Sequence, residues 1–315
     1  MKISLLGYYG FSNTGDEALL SVLLKKLPQY FPGSRISVLD NPEYISQREQ
    51  LPNTEFISRT KLKPVWQALK GSDLFILGGG SILQDASSSI SLYYYLAVIL
   101  LATFLCKQTV LLAQGIGPIK SSINEYLTKL ILDRVDLITC RDEESVNLLQ
   151  RLGISPSRVQ LTADLAYLLE PEEVNIPCLN ASGKVFGLIW RKAPKIDYVR
   201  QLEALKRTFC NWQWLFIPFQ PQDKKLYQEI KEHFPANAIV LEEKLSPAQM
   251  LGLITQLKQV NAIRLHGFIF AKMAGALYAG PSYDPKVAAF WEDQRTPEEL
   301  KAEAEKNFVA LQSLL

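Results

Sequence analysis

Histidine is nearly absent from this chain: 315 residues hold two, His233 and His266. The four cysteines, Cys106, Cys140, Cys178 and Cys210, stand far apart and include no C-x-x-C. That spacing argues against a zinc site and a disulfide framework and fits a reducing compartment. A surplus of one charge is missing too. Lys and Arg number 34 against 32 Asp and Glu, so no net field draws the chain to nucleic acid or a strongly acidic membrane. No apolar run reaches the roughly 20 residues of a membrane span. The longest, LYYYLAVILLATFLC from Leu92 to Cys106, is expected as a buried helix of a first domain, with tyrosines at its start that leave open a contact at a membrane interface. The opening MKISLLGYYG is a poor secretory signal and reads as a first strand. The expected location is the cytoplasm, with a peripheral place at the inner face of the plasma membrane left open.

What is present is apolar residue in quantity, 48% of the chain, enough for two domains with cores of their own. Short β-rich runs (KISLLG, RISVLD, DLFILGGG, TVLLAQGIG, DLITC, VQLTADLA, then KVFGLIW, WLFIPF, AIVLEE, NAIRLH) alternate with stretches of helical period such as DEALLSVLLKKLPQYF. This is the pattern of βαβ units and parallel sheets. It lapses between Glu170 and Gly183. The expectation is an α/β chain of two doubly wound, Rossmann-like domains facing a cleft, over 1–172 and 184–315, with a linker at 173–183.

In open parallel sheets ligands gather at the carboxyl ends of the strands. Here those ends are polar and glycine-rich. The first offers Gly10, Asn13, Gly15, Asp16 and Glu17; DLFILGGG leads to Gly79, Gly80, Gln84 and Asp85; TVLLAQGIG carries Gln114; later ends supply Arg141, Asp164, Arg191, Lys192, Arg264 and His266. Each has a plain structural reading as well: glycine in turns, Asp16 and Asp142 as helix caps, Arg141 paired with Glu144. GYYGFSNTGDE lacks the Lys-Ser/Thr of a P-loop and LGGGSILQD lacks the third glycine of G-x-G-x-x-G, which disfavours a generic ATPase or NAD enzyme. His233 reads as a solvated residue where a helix ends. His266 follows a strand and opens a helical run, and Arg264 beside it points to an anionic ligand. Arg141, Arg264 and one of Arg191, Lys192 or Lys286 suit a small ligand bearing carboxylate and phosphate.

Taken in order, GYYGFSNTGDEALL, LGGGSILQD, AQGIGPI, TCRDEES, TADLAY, RLHGFIFA and SYDPKVAAF resemble the polysaccharide pyruvyltransferase family, most of all its cell-wall branch, the CsaB-type enzymes. The resemblance implies a glycosyltransferase-B-like enzyme that moves a pyruvyl group from phosphoenolpyruvate to a sugar, forming a cyclic ketal and releasing phosphate, with no metal or organic cofactor. It implies that Arg141, Arg264 and His266 hold phosphoenolpyruvate, with His266 the general acid, and that Gly10 to Glu17 form a turn whose Asp16 and Glu17 face sugar hydroxyls. The implied acceptor is a carrier-linked sugar of a cell-wall or cell-surface polysaccharide. Two other readings stay open: a nucleotide-sugar glycosyltransferase of the same fold, and a non-catalytic glycan-binding descendant.

Overall fold

Continuous apolar runs bounded by glycine or Asp become strands buried on both faces, as parallel sheets require. The structure is a computed structural model and describes residues 1–86, 88–176, 179, 184–194, 196–281 and 285–315. Cys178, most of the expected linker and residues 282–284 of SYDPK lie outside the described residues. The strands are β1 (Lys2–Leu6), β2 (Arg35–Asp40), β3 (Thr54–Ser58), β4 (Leu74–Gly80), β5 (Gln108–Gln114), β6 (Leu137–Cys140), β7 (Val159–Leu161), β8 (Val185–Ile189), β9 (Gln213–Phe216), β10 (Ala238–Val240), β11 (Gln259–Ala262) and β12 (Leu277–Ala279). The helices are α1 (Thr14–Tyr30), α2 (Leu62–Lys70), α3 (Ser89–Leu105), α4 (Ser122–Leu132), α5 (Glu143–Arg151), α6 (Tyr198–Thr208), α7 (Asp223–Ile230), α8 (Pro247–Ile254), α9 (Leu265–Met273), α10 (Pro285–Glu292) and α11 (Pro297–Leu314).

Two parallel sheets result, with orders β3-β2-β1-β4-β5-β6-β7 and β10-β9-β8-β11-β12. The expected α/β class with two doubly wound sheets is therefore present. β3 and β12 escaped the sequence reading because both are edge strands, short or half-exposed, without a long apolar run. Each sheet reverses its winding once, at β1/β4 and at β8/β11, and those switch points are where such sheets place ligands. Gly10, Asn13, Gly79 and Gly80 follow or end the first pair of strands; Arg191 and Arg264 follow the second.

Contacts divide the chain into a first unit of Met1–Phe11, Leu19–Leu168 and Glu298–Leu315 and a second of Ser12–Ala18 and Leu169–Pro297. The division differs from the expected boundaries at three places, of which the shortest is 169–172, counted with the second unit. The first turn of α1 belongs to the second unit, because Thr14 donates its N–H and its hydroxyl to the Phe219 carbonyl at 2.9 and 3.2 Å. The closing helix α11 belongs to the first unit. Its Asn307, fully buried, accepts from the Thr139 and Thr162 hydroxyls at 2.5 and 3.0 Å and donates to the Ala163 carbonyl, while Phe308 stacks on Tyr30.

In the first unit α2, α3, α4 and α5 pack on Phe75, Leu77, Leu111 and Ile138. The Leu92–Cys106 run was expected to be buried, and six of its fifteen residues are, with three exposed. α3 turns Leu92, Tyr95, Leu96, Ile99 and Ala102 inward and leaves Ile90, Tyr93 and Phe104 exposed, because a helix on one face of a sheet can bury only the stripe that faces it. No helix among the described residues is long and apolar enough to cross a membrane. The second unit closes on Phe186, Trp190, Trp214 and Phe216.

Candidate functional site

The catalytic candidates of the second unit sit in a closed ring of contacts. Arg264 ends the loop after β11 and takes the N-cap place of α9, so His266 falls in the first turn of that helix. Gly267 lets this turn approach the sheet: a Cβ there would stand 2.9 Å from the Ile189 side chain. The Arg264 guanidinium is bidentate to Asp223, Nε to Oδ2 at 3.0 Å and Nη2 to Oδ1 at 2.6 Å, and Nη2 also reaches Gln220 Oε1 at 2.8 Å. Asp223 Oδ2 in turn accepts the N–H groups of Phe219 and Gln220. The Phe219 carbonyl receives Thr14, and the next residue, Gly15, lies against the His266 imidazole so closely that any Cβ would overlap its Nδ1 and Cγ. Asn13 caps α1, accepting from Gly15 N–H through Oδ1 at 3.2 Å and from Glu17 N–H through its carbonyl at 2.9 Å. Asp16 is buried and Glu17 half-buried in that first turn, the end of a helix that favours acids.

Sequence reasoning missed Asp223 and Gln220. Their stretch, FQPQDKK, reads as a polar surface turn, and only the fold turns Asp223 under Arg264. The correction to the expectation for Arg264 is geometric. Its Nε–Nη2 edge is engaged by a buried carboxylate, so the whole fork is not open and only the Nη1 side stands outside this pairing.

The first unit builds its own polar floor at the β4–β5–β6 ends. Arg141, buried, donates from Nη1 to Asp164 at 2.6 Å and from Nη2 to Ser81 Oγ at 2.5 Å. Its carboxylate partner is thus Asp164, with Asp142 at 3.6 Å, and Asp142 caps α5 by accepting the Ser145 N–H. Gly115 leaves room for this guanidinium, since a Cβ would stand 2.9 Å from Arg141 Nε. Gln114 is wholly buried, its amide donating to the carbonyls of Leu77, Gly79 and Leu112. Gly79 and Gly80 hold φ of 71° and 87°, which only glycine adopts cheaply, and Gly79 also lies under Leu19 of α1. Gly10, φ 76°, lies against Asp40 and gives its carbonyl to Asn41.

Other expected binding residues make contacts within the fold or stand at its surface. Asp85 accepts the N–H groups of Lys120 and Ser121 and the Asn124 amide, clamping the start of α4. Burial pushes its carboxyl up, but the Asn124, Lys120 and Ser121 donors outweigh this and hold it below the usual carboxylate range. Lys192 is exposed and pairs with Glu229 at 2.9 Å, and Arg191 is exposed beside it. Gln84 is half-buried after β4, and Lys286 is half-buried in the first turn of α10. His233 is exposed in a short turn after α7, as expected. Arg59, after the unforeseen β3, is a further missed residue. It lies under the rings of Tyr94, Tyr95 and Phe11 and donates to the Gly7 carbonyl at 2.8 Å, fixing the entry to the glycine turn.

A family model described as polysaccharide pyruvyl transferase matches residues 13–276. Among curated proteins, the amylovoran biosynthesis protein AmsJ of Erwinia amylovora is 20% identical over 216 residues, 56% of this chain and 51% of that protein. The chain thus spans about half the length of the curated relative it matches. Two solved structures align over nearly the whole chain. The UDP-GlcNAc 2-epimerase of Methanocaldococcus jannaschii has a TM-score of 0.64 at 14% identity and covers 99% of this chain and 100% of its own. HepE of Anabaena, in complex with UDP and glucose, has a TM-score of 0.56 at 15% identity and covers 99% and 95%. At such identities the likeness is one of fold, which is glycosyltransferase-B-like with Rossmann-like domains. The family match takes in Asn13, Gly79, Arg141, Arg264 and His266, and on that match the chain belongs to the polysaccharide pyruvyl transferase family.

Proposed function

We propose that the protein transfers the pyruvyl group of phosphoenolpyruvate to two hydroxyls of one sugar, closing a cyclic ketal and releasing phosphate, in the making of a cell-wall or cell-surface polysaccharide. The observation that carries this reading is the seating of His266: a ring at a helix start, packed on Gly15 and tied through Arg264 to the buried Asp223. In this reading His266 protonates the donor's methylene carbon and leaves an oxocarbenium-like centre at the second carbon. One sugar hydroxyl attacks that centre; loss of phosphate and attack by a second hydroxyl close the ring. Of the two hydroxyl protons, one replaces that given by His266 and the other leaves with phosphate. Arg264 Nη1 is the cation assigned to the donor's anionic groups, and such a charge-assisted contact is worth about 1.5–3 kcal/mol. Asp16 and Glu17 are assigned to sugar hydroxyls, and the acceptor is taken to be presented on a carrier.

A nucleotide-sugar donor is the second reading, favoured by the fold shared with the UDP-bound HepE and the UDP-GlcNAc epimerases. The test is phosphate release from phosphoenolpyruvate with a panel of carrier-linked sugars, paired with melting curves in phosphoenolpyruvate and in UDP-sugars. Stabilisation and phosphate release with phosphoenolpyruvate are expected; stabilisation by a UDP-sugar alone would turn the assignment to the second reading, and ligand binding without turnover to a glycan-binding descendant.

A further inference from the structure

We propose that the outer face of α2, α3 and α4 is a docking surface for an anionic lipid bilayer. Helices that cover a sheet normally turn polar residues to solvent. These three turn large apolar residues to solvent as well. Leu62 and Trp66 stand one turn apart on α2; Ile90, Tyr93 and Phe104 form one stripe on α3; Ile123, Tyr126 and Leu130 form another on α4. Leu62, Ile90, Phe104, Ile123 and Tyr126 are each at least 65% exposed, and Trp66, Tyr93 and Leu130 stand at 43–45%. The inward residues of the same helices, Val65 and Leu69, Leu92, Tyr95, Leu96, Ile99 and Ala102, and Thr128, Ile131 and Leu132, are already buried, so the outer stripes are surplus to the core.

The helices adjoin one another. The Tyr93 hydroxyl donates to Asn124 at 2.8 Å between α3 and α4, and the Cys106 thiol after α3 donates to the Leu69 carbonyl of α2 at 3.3 Å. The three helices therefore stand side by side, and exposed apolar residues gathered on adjoining helices mark an interaction site.

Charge selects the occupant. Residues 61–70, 89–107 and 120–134 contain seven Lys or Arg and two Asp or Glu, whereas the whole chain carries only +2. Lys61, Lys63, Lys70, Lys120 and Arg134 are exposed on these helices and at their ends, Lys107 pairs with Asp73 at 2.7 Å, and Arg134 lies over the Phe104 ring at 5.6 Å. A symmetric contact between two copies would set this surplus against itself. An anionic headgroup layer meets it, at about 1 kcal/mol per Lys or Arg near the surface. Trp66, Tyr93 and Tyr126 supply amphipathic rings suited to the depth of the headgroups. The chain then lies on the bilayer through three short helices and does not cross it. This goes beyond the donor chemistry above and stands without it.

The test is co-sedimentation of the full chain with vesicles of phosphatidylcholine alone and of equimolar phosphatidylcholine and phosphatidylglycerol, without phosphoenolpyruvate or acceptor. Binding to the anionic vesicles only is expected, weakening with salt. An Ile90→Ser, Phe104→Ser double variant and a Lys61→Glu, Lys63→Glu, Lys120→Glu triple variant should each lower the partition coefficient about tenfold or more at unchanged melting temperature. Absence of binding to anionic vesicles, binding indifferent to both variants, or a dimer in sedimentation velocity that the double variant splits would each overturn the proposal. Because the assay involves no turnover, its outcome is independent of the pyruvyl-transfer reading.

Discussion

His266 and Gly15 are in contact through the one face of Gly15 that a side chain would occupy: a Cβ at position 15 would overlap the imidazole Nδ1 and Cγ and lie 2.8 Å from the His266 Cβ. Gly15 is in the first turn of α1, in ordinary helical backbone, so its requirement is one of space and not of φ.

Gly15→Ala is therefore expected to displace His266. The gain of about 1 kcal/mol that alanine brings to an exposed helix does not offset this, because the overlap reaches the His266 Cβ, which no change of rotamer clears. The melting temperature should fall, and turnover per folded molecule should fall about 10²-fold as the imidazole leaves its place. Turnover close to wild type in Gly15→Ala would show that His266 acts from another position or not at all.

The Arg264–Asp223 pair should matter to stability as well as to ligand binding. Both side chains are buried, and removing one partner of such a pair costs about 3–5 kcal/mol because the other charge is left unmet. Asp223→Ala also orphans the N–H groups of Phe219 and Gln220, so the loss should fall in the upper part of that range. The exposed Lys192–Glu229 pair provides the contrast, at no more than about 1 kcal/mol for Lys192→Ala. Denaturation midpoints of the two variants decide the matter, and equal midpoints would contradict the assignment of Asp223 as the anchor of Arg264.

Asp85 gives a pH signature. Its carboxyl sits below the usual range in the folded chain, so its contribution is complete above the unfolded value of about 3.9 and is lost as pH falls through the folded value. Asp85→Ala should accordingly melt below wild type at neutral pH, and the gap should close as the solution is acidified through the carboxylate range. A gap that stays constant down to strongly acid pH would mean that the Lys120, Ser121 and Asn124 contacts do not depend on the charge.

The strand ends could be read directly from the sequence because parallel strands announce themselves as apolar runs, and the polar residues after them are placed by topology. Arg141, Arg264 and His266 stand where such runs put them, after β6 and β11. What surrounds them was not, because partners distant in sequence leave no periodic signal. Asp223 looks like a surface residue in FQPQDKK, and Asn307 like one more polar position on an amphipathic helix, although it ties α11 to β6 and the residues after β7. The surface character of Lys192 and the structural use of Asp85 were equally hidden, since both depend on neighbours that only the fold supplies. The apolar stripes of α2 and α4 escaped notice for another reason: on a short helix an outward and an inward apolar stripe look alike in sequence.

His266→Gln is the substitution that bears most directly on mechanism. Gln is of similar reach and keeps one hydrogen-bond donor, so the ring of contacts through Gly15, Asp223 and Arg264 should persist and phosphoenolpyruvate affinity should change only a few-fold. It cannot deliver a proton to carbon, and a positioned general acid contributes about 10²–10⁴-fold, so turnover should fall by at least about 10²-fold. Wild-type turnover should also decline as pH rises and the ring loses the proton it must donate, and whatever activity remains in the Gln variant should lack that limb. A histidine that only packs under α1 predicts the opposite pair of results, a lowered melting temperature with turnover per folded molecule retained. Measuring melting temperature, affinity and the pH dependence of turnover on the same Gln protein separates the two, and near-wild-type turnover from a folded variant would remove His266 as the acid.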